Sequence, residues 1–124
     1  MRFIALVTAL AAAGCTALQP TQSPDQPQEI AGRSAGAPKR CVLIDSTHSL
    51  RVSDSDRHTL LYGDGGTLWA NDLGPGCGFN RNDVLVTEPL GSYHCRGELV
   101  RSFDRFSAIP GPSCVLGNFV PYSR

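Results

Sequence analysis

Polar and apolar residues alternate over Ser49-Leu50-Arg51-Val52-Ser53, the period-2 pattern of a strand with one wet face. Two β-rich runs, Thr59-Leu60-Leu61-Tyr62 and Thr67-Leu68-Trp69-Ala70, flank Gly63-Asp64-Gly65-Gly66. Those four residues tolerate positive φ, so the stretch predicts a hairpin. Val84-Leu85-Val86-Thr87 predicts a further strand, stopped at Glu88-Pro89, and Ser92–Gly97 and Val115–Val120 add two more. Helical periodicity is sustained nowhere. Gly74-Pro75-Gly76 breaks the middle of the chain, and Ala108-Ile109-Pro110-Gly111-Pro112 breaks any helix begun near Phe103. A single helical turn over Arg81–Val84, capped by Asn80, is the one exception the pattern allows. Short strands punctuated by Gly and Pro predict an all-β fold, a small curled antiparallel sheet or a barrel.

The amino-terminal pattern is of another kind. Met1-Arg2 gives a positive start, and Phe3–Ala13 holds one polar residue, Thr8, before Gly14 and Cys15. A charged start, an apolar stretch of about 7–15 residues and small residues at the cut make a secretory signal, so residues 1–14 are expected to be removed after export across the inner membrane. Ala12-Ala13-Gly14-Cys15 resembles a bacterial lipobox, although Ala12 stands where Leu is usual. The resemblance implies that Cys15 is lipidated and anchors the chain in a membrane, since several buried acyl chains hold a protein stably. Plain secretion after cleavage nearby is the alternative. Thr16 follows the cysteine, where an acidic residue would mark retention at the inner membrane, so the resemblance implies the outer membrane, facing the periplasm.

Residues 16–40 mix Pro20, Pro24, Pro27 and Pro38 with Gln, Ser, Gly and Ala, and carry only Leu18 and Ile30 as large apolar residues. A segment so poor in apolar surface is expected to be a disordered tether. The folded domain is therefore expected over 41–124. Eleven Lys and Arg balance eleven Asp and Glu. A chain without net charge offers no long-range field to a polyanion, and nucleic acid is not expected as a partner.

Five cysteines become four once Cys15 is set aside for lipid: Cys41, Cys77, Cys95 and Cys114. In an oxidising compartment four predict two disulfides, and three pairings are open. The pairing favoured is Cys41–Cys114 with Cys77–Cys95, which ties the two ends of the domain and closes its middle. No Cys-x₂₋₄-Cys pair starts a zinc site, so neither a metal nor another cofactor is expected.

As a framework, Cys41-Val42-Leu43-Ile44, Leu73-Gly74-Pro75-Gly76-Cys77, Cys95-Arg96-Gly97-Glu98 and Cys114-Val115-Leu116-Gly117-Asn118-Phe119 resemble a family of short secreted bacterial lipoproteins with these four cysteines. That family has no assigned activity. The resemblance, over about residues 41–122, implies a compartment and a fold, and no mechanism.

Catalytic patterns are thin. Asp54, Asp56 and Asp64 lie near the hairpin and suggest paired carboxylates or a calcium loop, but His58 and Gly65 stand where a calcium loop needs oxygen ligands. Gly-x-Ser-x-Gly is absent, and His48, His58 and His94 have no motif around them. Trp69, Tyr62, Tyr93 and Phe79 are candidates for a sugar- or peptide-binding face, and Arg96, Arg101 and Arg105 for contact with anionic groups. The chain is thus expected to be a non-enzymatic, lipid-anchored envelope module that contacts an envelope protein or glycan. The competing expectation is a small periplasmic enzyme or enzyme inhibitor working through loops 54–58 and 101–112.

Overall fold

The structure, a computed structural model, describes Gly14 and residues 26–124. Residues 1–13 of the signal segment expected over 1–14, and the expected lipidation site Cys15, lie outside the described residues. Among the described residues, ten strands follow a single 3₁₀ turn at Gln28–Ile30: β1 Ser34–Ala35, β2 Cys41–Leu43, β3 Arg51–Val52, β4 Thr59–Asp64, β5 Thr67–Asp72, β6 Val84–Thr87, β7 Tyr93–Cys95, β8 Leu99–Phe103, β9 Pro110–Val115 and β10 Phe119–Ser123. All pairings are antiparallel. Five strands form one sheet in the order β1-β10-β5-β4-β3, β6-β8-β9 form a second, and β2-β7 form a ribbon. The all-β expectation holds, with open sheets rather than a closed barrel.

The β4–β5 hairpin is tighter than the sequence pattern suggests, because Gly63 and Asp64 remain in the ladder and only Gly65-Gly66 turn. Gly63 sits at φ +95°, and a Cβ there would come within 2.8 Å of the Thr67 carbonyl oxygen. Thr59 to Gly63 are all buried, as befits a strand covered on both faces. Leu60 and Tyr62 enter the main core with Val42, Val52, Phe79, Val100, Cys114, Leu116 and Phe119, drawn from both sheets and the ribbon. Leu61 points the other way, into a second apolar layer with Ile30, Leu68 and Ala70.

That second layer corrects the extent of the tether. Ile30 is 3% exposed, β1 pairs with β10, and Lys39 bridges to Phe119. Residues 26–40 therefore belong to the body rather than to the tether expected over 15–40, of which 15–25 lie outside the described residues. Composition hid this, because one isoleucine finds a site made ready by Leu61, Leu68 and Ala70. Glu29 fastens the same segment: its carboxylate accepts the Asp54 N–H at 2.6 Å and the Ser53 hydroxyl at 2.9 Å. Partial burial works to raise the Glu29 pKa, but the donors from Asp54, Ser53 and Ser55 hold it below the ordinary range.

The disulfides are Cys41–Cys95 and Cys77–Cys114, so the expected Cys41–Cys114 and Cys77–Cys95 pairing is corrected. In the β2–β7 ribbon Cys41 stands opposite Cys95, and Cys77, just past the Gly74–Gly76 break, meets Cys114 of β9. The ends of the body need no sulfur bridge, because β1 and the Lys39 bridge already join them to β10. With closed loops of 54 and 37 positions, each bond taken alone contributes about 4 kcal/mol in the chain-entropy picture.

Two further departures have local causes. The apolar run Val115–Val120 is not one strand: β9 ends at Val115, β10 begins at Phe119, and each belongs to a different sheet. Asn71, fully buried, holds the crossing by donating to the Gly117 carbonyl and accepting its N–H, both at 2.8 Å. The stretch Arg81–Val84 forms a turn rather than a helix, with Asp83 N–H donating to the Asn80 carbonyl and the Asp83 carboxylate accepting the Asn80 N–H.

Candidate binding site

The ribbon and the tip of the β4–β5 hairpin enclose a groove of about 660 Å³. Trp69 projects from β5, Tyr93 and Leu43 from the ribbon, and Lys39 from the segment before β2. The Lys39 ammonium lies 5.6 Å from the centre of the Trp69 ring, within range of a cation–π contact. Tyr93 and Leu43 are opposite each other in register and both exposed, while their neighbours His94 and Val42 turn inward.

The polar wall of the groove is built around His48. Its Nδ1 lies 3.2 Å from Asp45 Oδ2 and its Nε2 lies 3.1 Å from Asp64 Oδ2. Asp45 and Asp64 are far apart in sequence, so this one imidazole clasps the loop after β2 to the hairpin tip. Asp45 is itself held in place: its Oδ1 accepts the Thr47 N–H and hydroxyl, each at 2.8 Å, and its own N–H donates to the Tyr62 hydroxyl at 2.6 Å. The Tyr62 hydroxyl in turn donates to the Leu43 carbonyl at 3.1 Å. The hydrogen bond to Asp64, helped by that to Asp45, raises the His48 pKa above its ordinary value. Asp45 is lowered, first by the Thr47 N–H and hydroxyl and then by His48.

His94 meets the same tyrosine from the other side. The two imidazole rings stand edge-on to Tyr62, His48 with its centroid at 6.1 Å and His94 at 5.6 Å. Burial lowers the His94 pKa against the opposing charge of Glu98, and neither His94 Nδ1 nor Glu98 Oε2 has a hydrogen-bond partner among the described residues.

A second hollow, of about 520 Å³, opens beside the first and is lined by Val86, Glu88, Leu90, Arg96, Leu99 and Arg101. Cys41 lines one hollow and Cys95 the other, so their disulfide forms the ridge between them. The exposed candidate contact residues divide three ways, and Tyr62 and Phe79, expected beside Trp69 and Tyr93, are instead buried in the core. Trp69 and Tyr93 share the groove, and Arg96 and Arg101 share the second hollow. Arg105 lies elsewhere, donating through Nε to the Asn82 carbonyl at 3.3 Å.

Only part of the two segments expected as loops, 54–58 and 101–112, is loop. Residues 101–103 and 110–112 are strand, and the polar groups of 54–58 serve the backbone: Asp56 accepts the His58 N–H, and His58 Nδ1 lies 2.8 Å from the Cys77 carbonyl. Among the described residues, no three His, Cys, Asp or Glu side chains are placed to hold a metal ion. The clasp at His48 had escaped the sequence reading. Its local half was visible in Asp45-Ser46-Thr47, an Asx-type turn signal. Its partner Asp64 depends on how the hairpin tip meets the loop, which no local pattern encodes.

Fold and site together define a disulfide-braced β module with an aromatic and carboxylate-walled groove. Compared with protein families, with curated proteins and with solved structures, the chain matches none.

Proposed function

We propose that the chain is a module of the bacterial cell envelope, exported across the inner membrane, held by lipid on Cys15 at the outer membrane facing the periplasm, and working by binding rather than catalysis. The apolar leader and the Ala-Ala-Gly-Cys sequence support the anchor. Two disulfides favour an oxidising compartment.

The observation that carries the binding reading is the groove. An open ring from Tyr93, the Trp69 indole and fixed carboxylates from Asp45 and Asp64 converge on one concavity. Aromatic faces stack on the apolar side of a sugar ring while carboxylates accept its hydroxyl protons, which makes an envelope glycan the ligand that fits best. An envelope polypeptide is the other ligand class to be compared. The test is titration of the purified protein with glycan-strand fragments, followed by Trp69 emission. Saturable change is expected, with Tyr93→Ala weakening affinity about tenfold, the worth of one aromatic contact. Emission that ignores every glycan fragment would discard the glycan reading.

A catalytic reading draws on one observation, the Thr47 hydroxyl 3.1 Å from His48 Nδ1 with Asp64 on the far nitrogen. The Thr47 hydroxyl already donates to Asp45, however, and Nδ1 also faces that carboxylate, so no base is free to activate it.

A further inference from the structure

The module has two ends. At one lie the hairpin tip, the His48 clasp and Tyr93, which together wall the groove. At the other lie the start of β4, the turn at 80–83 and the β8–β9 loop, because β6 and β8 pair with Val84 opposite Phe103 there and Thr87 opposite Val100 away from it. Hydrogen bonds lace this second end together: Arg57 Nε donates to the Phe79 carbonyl, Arg81 to the Asp54 carbonyl at 2.7 Å, and Arg105 to the Asn82 carbonyl. The body also begins there. Gln28 N–H donates to Ser55 Oγ at 2.9 Å, and from there the chain runs toward the hairpin tip, where Arg33 donates to the Gly65 carbonyl.

The β8–β9 loop at this end exposes apolar side chains while its backbone is held. Phe106 is 87% exposed and Ile109 64%. Asp104 Oδ1 accepts the N–H of Phe106 and of Ser107, both at 2.9 Å, the Asp104 N–H donates to the Ile109 carbonyl, and Ala108 closes the loop at φ +56°. A side chain as large as phenylalanine placed on so constrained a loop gains nothing in water.

The chain length names what covers it. Ten residues, 16–25, lie between Cys15 and Gln26, from which the structure describes the body. Whatever their conformation, a fully extended chain of that length spans no more than about 40 Å. A body of this size is about 30 Å across, so an acylated Cys15 keeps the amino-terminal end of the body close to the bilayer. We propose that the β8–β9 loop is a membrane foot: Phe106 and Ile109 enter the lipid surface next to the point where the anchored chain joins the body, and the groove is displayed at the opposite end. This rests on the lipid anchor and adds a second contact to it, which single weak insertions need in order to persist. A rigid loop offered to a second protein is the alternative occupant; the limited reach of the anchored chain, which keeps this end of the body within range of lipid, favours the membrane.

The test uses the full chain as exported, reconstituted in vesicles of phosphatidylethanolamine and phosphatidylglycerol with brominated acyl chains. Trp69→Phe removes the native emitter, and Phe106→Trp or Leu90→Trp installs a reporter; Leu90 is 100% exposed at the far end of the β6–β8 ladder. Bromine is expected to quench the Phe106→Trp emission at least about twofold more than that of Leu90→Trp. Equal quenching at both positions, or none at either, would overturn the foot. Intact mass judges the anchor separately. If no acyl chains are found, the unmodified chain is mixed with the same vesicles: quenching confined to Phe106→Trp still supports the foot, and its absence overturns it. As a second readout, Phe106→Ser with Ile109→Ser is expected to cut retention of unacylated chain on vesicles about tenfold. Unchanged retention, or loss of the exposed patch to a concentration-dependent dimer, counts against lipid as the occupant.

Discussion

His48 and His94 flank one tyrosine, yet their surroundings drive their protons in opposite directions. Carboxylates from Asp64 and Asp45 favour the charged form of His48, so its folded pKa lies above its unfolded value. The stability it contributes is complete below the unfolded pKa and is lost as pH rises through the folded one. Burial disfavours the charged form of His94, so its folded pKa lies below the unfolded value. Its contribution is present above the unfolded pKa and disappears as pH falls through the folded one. Proton NMR should therefore place the His48 midpoint above the ordinary value near 6.5 and the His94 midpoint below it. His48→Gln should flatten the decline in stability on the alkaline side of neutrality, and His94→Gln the decline on the acid side, read as melting temperature against pH. Coincident midpoints would mean that the clasp does not exist in solution.

At the scale of elements, the sequence reading and the structure agree where contacts are local. The β4–β5 hairpin was legible because Gly65-Gly66 and the flanking β-rich runs lie side by side. β6 was legible from its own run, Val84-Leu85-Val86-Thr87 stopped at Glu88-Pro89, although its partner β8 is not its neighbour in the chain. β8 was not, since Leu99-Val100-Arg101-Ser102-Phe103 carries a serine and an arginine that read as loop. Its inward residues are Val100 and Ser102, and the Ser102 hydroxyl is satisfied by the Pro112 carbonyl at 2.8 Å. Pro110 and Pro112 suppressed any expectation of β9, yet proline is tolerated on an edge strand, and β9 is the edge of its sheet. Most of the site was illegible, because the groove needs β2, β5, β7 and the hairpin tip in one place. The crossing from β9 to β10 shows how such non-local placement is secured. Asn71→Ala would leave the Gly117 N–H and carbonyl without their partner, at about 1–3 kcal/mol for each buried group left unpaired. The expected outcome is a melting temperature lower by on the order of 10 °C. A change of a degree or two would show that water replaces the amide.

For the whole molecule, the decisive question is where folding begins along the chain, because that sets both stability and the distance from the membrane. A boundary at Cys41 would leave Leu61, Leu68 and Ala70 facing water, although all three are buried. It would also strip β10 of its outer partner β1 and remove the Glu29 carboxylate that gathers Ser53, Asp54 and Ser55. A boundary at Gln26 removes none of these. The two truncations thus separate a spacer from a structural segment. A chain starting at Gln26 should melt within a degree or two of the mature protein. A chain starting at Cys41 should melt lower by well over 10 °C, since loss of the Ile30 side chain alone is worth about 2–5 kcal/mol. Ile30→Ala in the full chain isolates that part, and Glu29→Gln the part that depends on charge. The Glu29 contribution carries a pH signature of its own: its folded pKa is depressed, so the stability it adds is present above the unfolded value and vanishes as pH falls through the folded one. Melting curves of the Glu29→Gln protein and its parent should therefore converge under acid conditions and separate near neutrality. Equal stability of the two truncations would restore the long tether, let the body stand farther from the bilayer, and leave the β8–β9 loop without a surface held close enough to meet it.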